Sequence, residues 1–310
     1  MTQPMTTPLS RPLRGIMFKL VSVLVFIVMQ SLIKAAHVPA GEAVFFRSAF
    51  AIPVIVVWLT VQGQLGTGFR AVQPIGHVWR GLMGTIAMGL GFAGLSYLPL
   101  PEVTAVGYAS PLMVVILAAM FLGEDVRLFR MVSVALGLLG VLIVLSPRLS
   151  VGASAGSREA FGAMVVLGGA MFSALAQVFA RKLVLTESTT SIVFYFSLTS
   201  TLLSLVTIPF GWIWPTPAQA ALLVTCGILG GIGQIFLTAS YREADASLVA
   251  PFDYASMIFS LGIGLFIFGE VPTLTMLSGA ALVILAGIMI ILRERHLGVE
   301  RAKARRAMTQ

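Results

Sequence analysis

An all-α integral membrane protein of ten transmembrane helices, arranged as two inverted five-helix repeats around a central cavity, is the fold class that this sequence predicts. Three observations predict it. The 310 residues are 58% hydrophobic and 10% charged, with a mean hydropathy of +0.98, far from the roughly 25% charged residues of soluble domains. Ten apolar runs can be counted, each near the roughly 20 residues that a helix needs to cross the hydrocarbon core. Finally, Gly107 to Glu124, GYASPLMVVILAAMFLGE, recurs as Asp253 to Glu270, DYASMIFSLGIGLFIFGE. Tyr108-Ala109-Ser110 matches Tyr254-Ala255-Ser256, and Gly123-Glu124 matches Gly269-Glu270, at one offset of 146.

In chain order the runs are Arg14 to Ala35, Ala43 to Val61, Ile75 to Leu98, Val103 to Leu122 and Phe129 to Ser146, then Phe161 to Lys182, Ser191 to Phe210, Ala220 to Tyr241, Ser247 to Phe268 and Leu274 to Leu292. These are predicted helices 1 to 10. The first is too long, and is preceded by too few basic residues and no small-residue cleavage site, to be a removed signal peptide. The units are 1–146 for the first repeat, 147–158 for a Gly, Ala and Ser-rich linker, 159–292 for the second repeat and 293–310 for a basic tail.

Basic residues near helix ends set the orientation. With the N-terminus cytoplasmic, the inner side carries sixteen Lys and Arg, Arg80 and Lys19 among them, and the outer side keeps Lys34, Arg47, Arg148 and Arg158. Both termini are therefore expected inside and the linker outside. Six basic residues between Arg293 and Arg306, with no interleaved aromatic, read as a membrane-adjacent anchor rather than a nucleic-acid surface. Five helices per half is an odd number, so the second half enters the membrane from the opposite side. That is the inverted-repeat arrangement of secondary transporters. Gln30 and Lys34 of helix 1 match Gln177 and Arg181 of helix 6 at an offset of 147, and Ser96-Tyr97 matches Ser240-Tyr241 at 144.

The duplicated order, with a Tyr ending helices 3 and 8 and a Gly-Glu closing helices 4 and 9, resembles the drug/metabolite transporter superfamily, EamA type. The resemblance covers about Gly15 to Leu292. It implies ten helices around a cavity lined by helices 1 to 4 and 6 to 9, with helices 5 and 10 peripheral. It also implies a bacterial inner-membrane carrier of small metabolites working by alternating access. Similarity to the family's amino-acid exporters makes export of aromatic or other apolar amino acids the leading expectation. Uptake of a vitamin or nucleoside-like metabolite, or multidrug efflux, is the alternative.

An ionisable residue inside a span is a site hypothesis, weighed against snorkelling near a helix end. Lys34, Glu42, Arg47 and Glu102 all fall near the expected outer mouth, where an ion-pair network or simple interfacial pairing would account for them. Arg47 is flanked by Phe45, Phe46 and Phe50 and is expected to face a cavity or partner, with a geometry suited to a substrate carboxylate. Asp253, whose equivalent is Gly107, could bind an amine, pair with a cation or take up a proton. Glu124 and Glu270 are expected to close helices 4 and 9. Gln177 and Arg181 are expected at an inner mouth, Gln30 at the outer one, and Gln234 along the cavity. The tyrosines Tyr97, Tyr108, Tyr195, Tyr241 and Tyr254 fall in or at the ends of helices that the resemblance places around the cavity; Tyr97 and Tyr241 double as gate candidates or interfacial belt residues. Trp212 and Trp214 are expected in the outer belt.

Pro53 and Pro111 should kink helices 2 and 4. Met257 stands where the repeat would place a proline, so a straighter helix 9 is expected. The glycines of helices 3 and 8 should let them cross neighbours closely. His37, His77 and His296 have no metal spacing, and neither HExxH nor GxSxG occurs, so no enzyme and no cofactor is expected. The expected partners are a small-molecule substrate and the lipid bilayer, and the chain is read as a monomer.

Overall fold

The computed structural model describes residues 11–63, 65–122, 128–149, 156–183, 186–244 and 249–308. Every regular element among them is helical. α1 is Arg11–Ala36; α2 has two pieces, Ala40–Ala49 and Ala51–Val61; α3 is Pro74–Gly94. α4 also has two pieces, Leu100–Gly107 and Ala109–Leu122, and α5 is Leu128–Leu149. The second half repeats the order: α6 Gly156–Leu183, α7 Thr189–Leu205, α8 Pro217–Glu243, α9 a 3₁₀ turn Ala250–Tyr254 followed by Ala255–Phe268, and α10 Leu274–Met308. Six of these stretches are long and apolar enough to cross a membrane, and two more are shorter apolar helices. Large apolar side chains such as Val57, Met120, Leu142 and Phe266 point outward, as a lipid-covered surface requires.

Polar contacts sort the helix ends onto two faces. The end of α1, the start of α4 and the end of α9 meet, because Lys34 Nζ reaches the Leu98 carbonyl and Glu270, and the Leu100 N–H donates to Glu270. The start of α8 joins them through Gln219 Nε2 to the Ala36 carbonyl. This is called the linker face, since α5 ends and α6 begins there. On the opposite, terminal face the starts of α3 and α7 meet through Glu187, and Gly15 near the start of α1 abuts Ala244 after α8.

Proline explains two breaks. α2 is interrupted at Phe50 and α4 at Tyr108, each three residues before a proline, Pro53 and Pro111. A proline has no N–H for the carbonyl four residues back and its ring pushes on that carbonyl, so the helix yields in the preceding turn. The straighter helix 9 does not hold. Tyr254, equivalent to Tyr108, ends a 3₁₀ turn with φ −69° and ψ −12°, close to the −67° and −7° of Tyr108. Hydroxyls replace the proline's effect here: Ser256 Oγ donates to the Asp253 carbonyl at 2.6 Å, and Tyr108 Oη lies 2.6 Å from Ser256 Oγ and 3.3 Å from the Tyr254 carbonyl. The two tyrosine rings stand edge to face, 5.0 Å between centroids, so the two breaks rest on each other between the halves.

α3 packs along α6, and α8 along α1, as the glycines of helices 3 and 8 predict. A backbone crossing as close as that of Gly227, whose Cβ would stand 2.6 Å from the Phe46 carbonyl oxygen, lies between α5 and α10. A Cβ on Gly279 would stand 2.6 Å from the Gly140 carbonyl oxygen, and one on Gly140 would stand 2.8 Å from that of Gly279. Gly140 and Gly279 let these helices touch here. Gly123 and Glu124, and residues 150–155 of the linker, lie outside the described residues, as do the side chains of Arg148, Arg181, Tyr241 and the tail beyond Arg293.

Candidate functional site

Two arginines reach the middle of the bundle from opposite faces. Arg47 lies on the buried stripe of α2 that also holds Glu42, Ala43, Val44 and Ser48. It is seven residues along a helix that starts at the linker face, about 10 Å deep at 1.5 Å per residue. Arg80 is six residues along α3 from the terminal face. Both guanidiniums pack on one ring, Phe196 of α7, with centroid distances of 5.5 Å for Arg47 and 4.3 Å for Arg80. Room for them is made by missing side chains. A Cβ on Gly230 of α8 would come within 3.2 Å of Arg47 Nε, and one on Gly84 would come within 2.7 Å of the Phe196 ring.

Among the described residues nothing neutralises either charge. Arg47 is only 5% exposed. The Nε of Arg47 and the Nε and Nη1 of Arg80 are buried without a hydrogen-bond partner, and among the described residues no carboxylate lies within ion-pair distance of either. A central Arg facing hydrocarbon costs roughly 2.5–3.5 kcal/mol on the insertion scale, whereas a desolvated cation–π contact returns about 2. One ring shared by two guanidiniums leaves an anion-seeking deficit. Beside Arg80, Gly84, Met88 and Phe196, the α6 residues Ser173 and Gln177 complete a cavity of about 250 Å³. Gln177 Nε2 donates to Ser110 Oγ at 2.9 Å, which holds its amide at the wall shared with α4.

The second arrangement is a seam between α1 and α9 that is tied at both ends. At the linker face Lys34 pairs with Glu270, and Phe268 lies under its ammonium at 5.3 Å. Glu270 serves α4 as well, accepting the Leu100 N–H at 2.9 Å. At the terminal end Lys19 pairs with Asp253 at 2.7 Å. The Lys19 side chain is 2% exposed and that of Asp253 is 51% exposed. Above the Lys34 tie, a cleft of about 670 Å³ opens at the linker face, lined by Lys34, His37, Tyr97, Arg158 and Glu270 among others.

Two carboxylates at equivalent helix starts hold loops of the opposite half. Glu42 of α2 accepts the Ile213 N–H ahead of α8 at 3.2 Å. Glu187, just ahead of α7, accepts the Val72 and Gln73 N–H groups ahead of α3, both at 2.6 Å, and lies 3.2 Å from His77 Nε2. Tyr195 adds to this terminal-face joint by donating to the Phe69 carbonyl.

The expected residues are thus distributed over several places. Gln177 lines the inner cavity and Arg47 reaches its Phe196 wall. Asp253 is not beside Arg47 but is bound to Lys19. The expected mouth cluster has a different membership: Lys34 joins Glu270, Glu42 joins the α7–α8 loop, Arg47 lies deeper, and Glu102 is buried at the start of α4. Tyr108 and Tyr254 pair at the two breaks, Tyr97 lies under Arg158 in the linker-face cleft, and Tyr195 serves the loop joint. Gln30 and Gln234 are half-buried on α1 and α8. Trp212 packs on Phe45, and Trp214 is 98% exposed at the linker face, where a belt residue belongs.

Arg80, Lys19 and Phe196 are the central residues that sequence reasoning passed over. Arg80 and Lys19 were legible by the same rule that singled out Arg47, each being several residues inside an apolar run. Counting them toward the cytoplasmic charge excess hid them. Phe196 carried no signal, being one of twenty phenylalanines.

Two segments, residues 13–146 and 160–293, each match the EamA-like transporter family. The pseudopaline exporter CntI of Pseudomonas aeruginosa (strain UCBPP-PA14) is 30% identical over 284 residues, 89% of this chain and 95% of the relative. The S-adenosylmethionine uptake transporter of Rickettsia felis is 29% identical over 82% of this chain and 83% of its own length. The riboflavin transporter of Rhizobium johnstonii is 29% identical over 91% and 89%. A solved crystal structure, 21% identical, superposes over 91% of this chain and 98% of the other with a TM-score of 0.64, which shows the shared fold. The duplicated helical halves, the apolar outer surface and these matches identify the chain as a member of the EamA-like transporter family in the drug/metabolite transporter superfamily, a multi-pass membrane transporter of small molecules.

Proposed function

We propose that the chain carries amino acids and amino-acid-derived metabolites across the bacterial cytoplasmic membrane by alternating access, with export as its main direction and both termini in the cytoplasm. The unpaired guanidiniums of Arg47 and Arg80 carry this reading. They supply what a carboxylate requires: fixed, forked donors in a poorly solvated place. Phe196 and Met88 offer an apolar surface for a side chain, and Gln177 a donor and acceptor for an ammonium or carboxyl group. The α1–α9 seam supplies the moving part. Opening the linker-face cleft toward the cavity breaks Lys34–Glu270 while Lys19–Asp253 holds, and opening the terminal face does the reverse. With Lys19, Arg80 and Arg47 set aside as lying within the bundle, a distribution of fourteen basic residues to three supports the orientation. Uptake of a metabolite is the second reading, favoured by the relatives named for S-adenosylmethionine uptake.

The test is efflux of a labelled amino-acid pool from proteoliposomes containing the full chain, with and without a proton gradient. The proposal expects efflux of a subset of the pool that falls at least tenfold in Arg80→Gln. Transport of vitamins or nucleosides with no amino-acid movement would contradict it.

A further inference from the structure

We propose that the cargo carries two acidic groups, one for Arg47 and one for Arg80, joined to an apolar body. This inference rests on the functional reading above and narrows its substrate class. A neutral amino acid brings one carboxylate, balanced by its own ammonium. Such a ligand leaves at least one of two buried guanidiniums uncompensated. The two charges are independent features of the chain: one sits on α2 and the other on α3, they enter from opposite faces, and neither has a carboxylate partner among the described residues. What they share is Phe196, whose ring faces both at 5.5 and 4.3 Å.

Phe196 touches both cations, in the place that a doubly acidic ligand would claim. A ring quadrupole is a weak substitute for a carboxylate, since charge-assisted, bidentate pairing is stronger than a cation–π contact. Ligand entry therefore exchanges two ring contacts for two ion pairs and frees the ring to pack on the cargo's apolar part. The cavity of about 250 Å³ already reaches Arg80 and the ring, and displacement of the ring extends it to Arg47. Arg80 and Arg47 thereby become the specificity-determining residues, and Phe196 the element that moves.

The experiment compares labelled phenylalanine, N-carboxymethyl-phenylalanine and phosphotyrosine in proteoliposomes of the full-length chain. The three share an aromatic body and differ in the second acidic group, carboxylate in one and phosphate in the other. At least one doubly acidic compound should move about tenfold or more faster than phenylalanine, and whichever it is names the second group. Arg80→Gln and Arg47→Gln should each erase that advantage, and Arg80→Lys should retain part of it. In detergent, the favoured compound should raise the thermal unfolding midpoint of the unaltered chain more than phenylalanine does, a readout that needs no variant to fold. Equal movement of phenylalanine and both doubly acidic compounds overturns this inference and leaves amino-acid transport standing. An advantage that survives both glutamine variants overturns it as well. Movement of none of the three, with the broader amino-acid pool also static, overturns both proposals.

Discussion

The two ties of the α1–α9 seam are built to different standards. At the linker face Lys34 and Glu270 are 14% and 15% exposed, and Glu270 also holds the Leu100 N–H while Lys34 holds the Leu98 carbonyl. That tie is a junction of α1, α4 and α9. At the terminal end a fully buried Lys19 meets a half-exposed Asp253. The first tie gathers both halves of the molecule at one carboxylate. The second leaves one partner within reach of solvent. The difference implies that breaking the linker-face tie is the larger event in the cycle, and that the terminal tie is the easier one to open.

Removing Glu270 should therefore have the largest effect. Glu270→Ala strands Lys34 and the Leu100 N–H together, and should destabilise the protein by about 3–5 kcal/mol, the range for breaking a buried pair from one side, read as a lowered thermal midpoint in detergent. Asp253→Ala should cost somewhat less, about 2–3 kcal/mol, because the exposed side of the pair gives water a path to the Lys19 left behind. Lys19→Ala should cost about 1 kcal/mol or less, since the Asp253 left behind is half exposed and rehydrates. The inequality between the two ends of that one pair sharpens the comparison: equal losses for Lys19→Ala and Asp253→Ala would show that the exposure of Asp253 does not reach water. Of similar size, Tyr108→Phe should cost about 1 kcal/mol, one net hydrogen bond, while loosening the contact between the breaks of α4 and α9.

Much of this architecture was legible before any coordinates. Ten apolar runs appear as ten helical units in the expected order, six of them long and apolar enough to cross a membrane and two more shorter, and the repeat at one offset makes Tyr108 and Tyr254 equivalent positions. The prolines located the breaks of α2 and α4 because a missing N–H acts locally. α9 escaped that rule, since its break is held by Ser256 and Tyr108, a contact between segments that lie 146 positions apart. The seam was half legible: Lys34 and Asp253 stood out as charges in apolar runs, but their partners could not be read, because pairing depends on how α1 and α9 lie side by side. Glu270 looked like a helix-closing residue for the same reason. It does close the helix, with its N–H on the Gly264 carbonyl, and its side chain does something the repeat alone does not reveal. The crossing of α5 on α10 at Gly140 and Gly279 was hidden among 31 glycines.

The seam itself is most directly tested by the distance across its linker end. Spin labels at Ala35 and Val271, both exposed and flanking the Lys34–Glu270 tie, can be placed in a Cys226→Ser background and read by pulsed electron resonance in lipid. Alternating access through this seam predicts two populations in the unaltered chain, one short and one longer, and a shift toward the longer one in Glu270→Gln. A single short distance, unchanged by Glu270→Gln and by transported substrate, would contradict it.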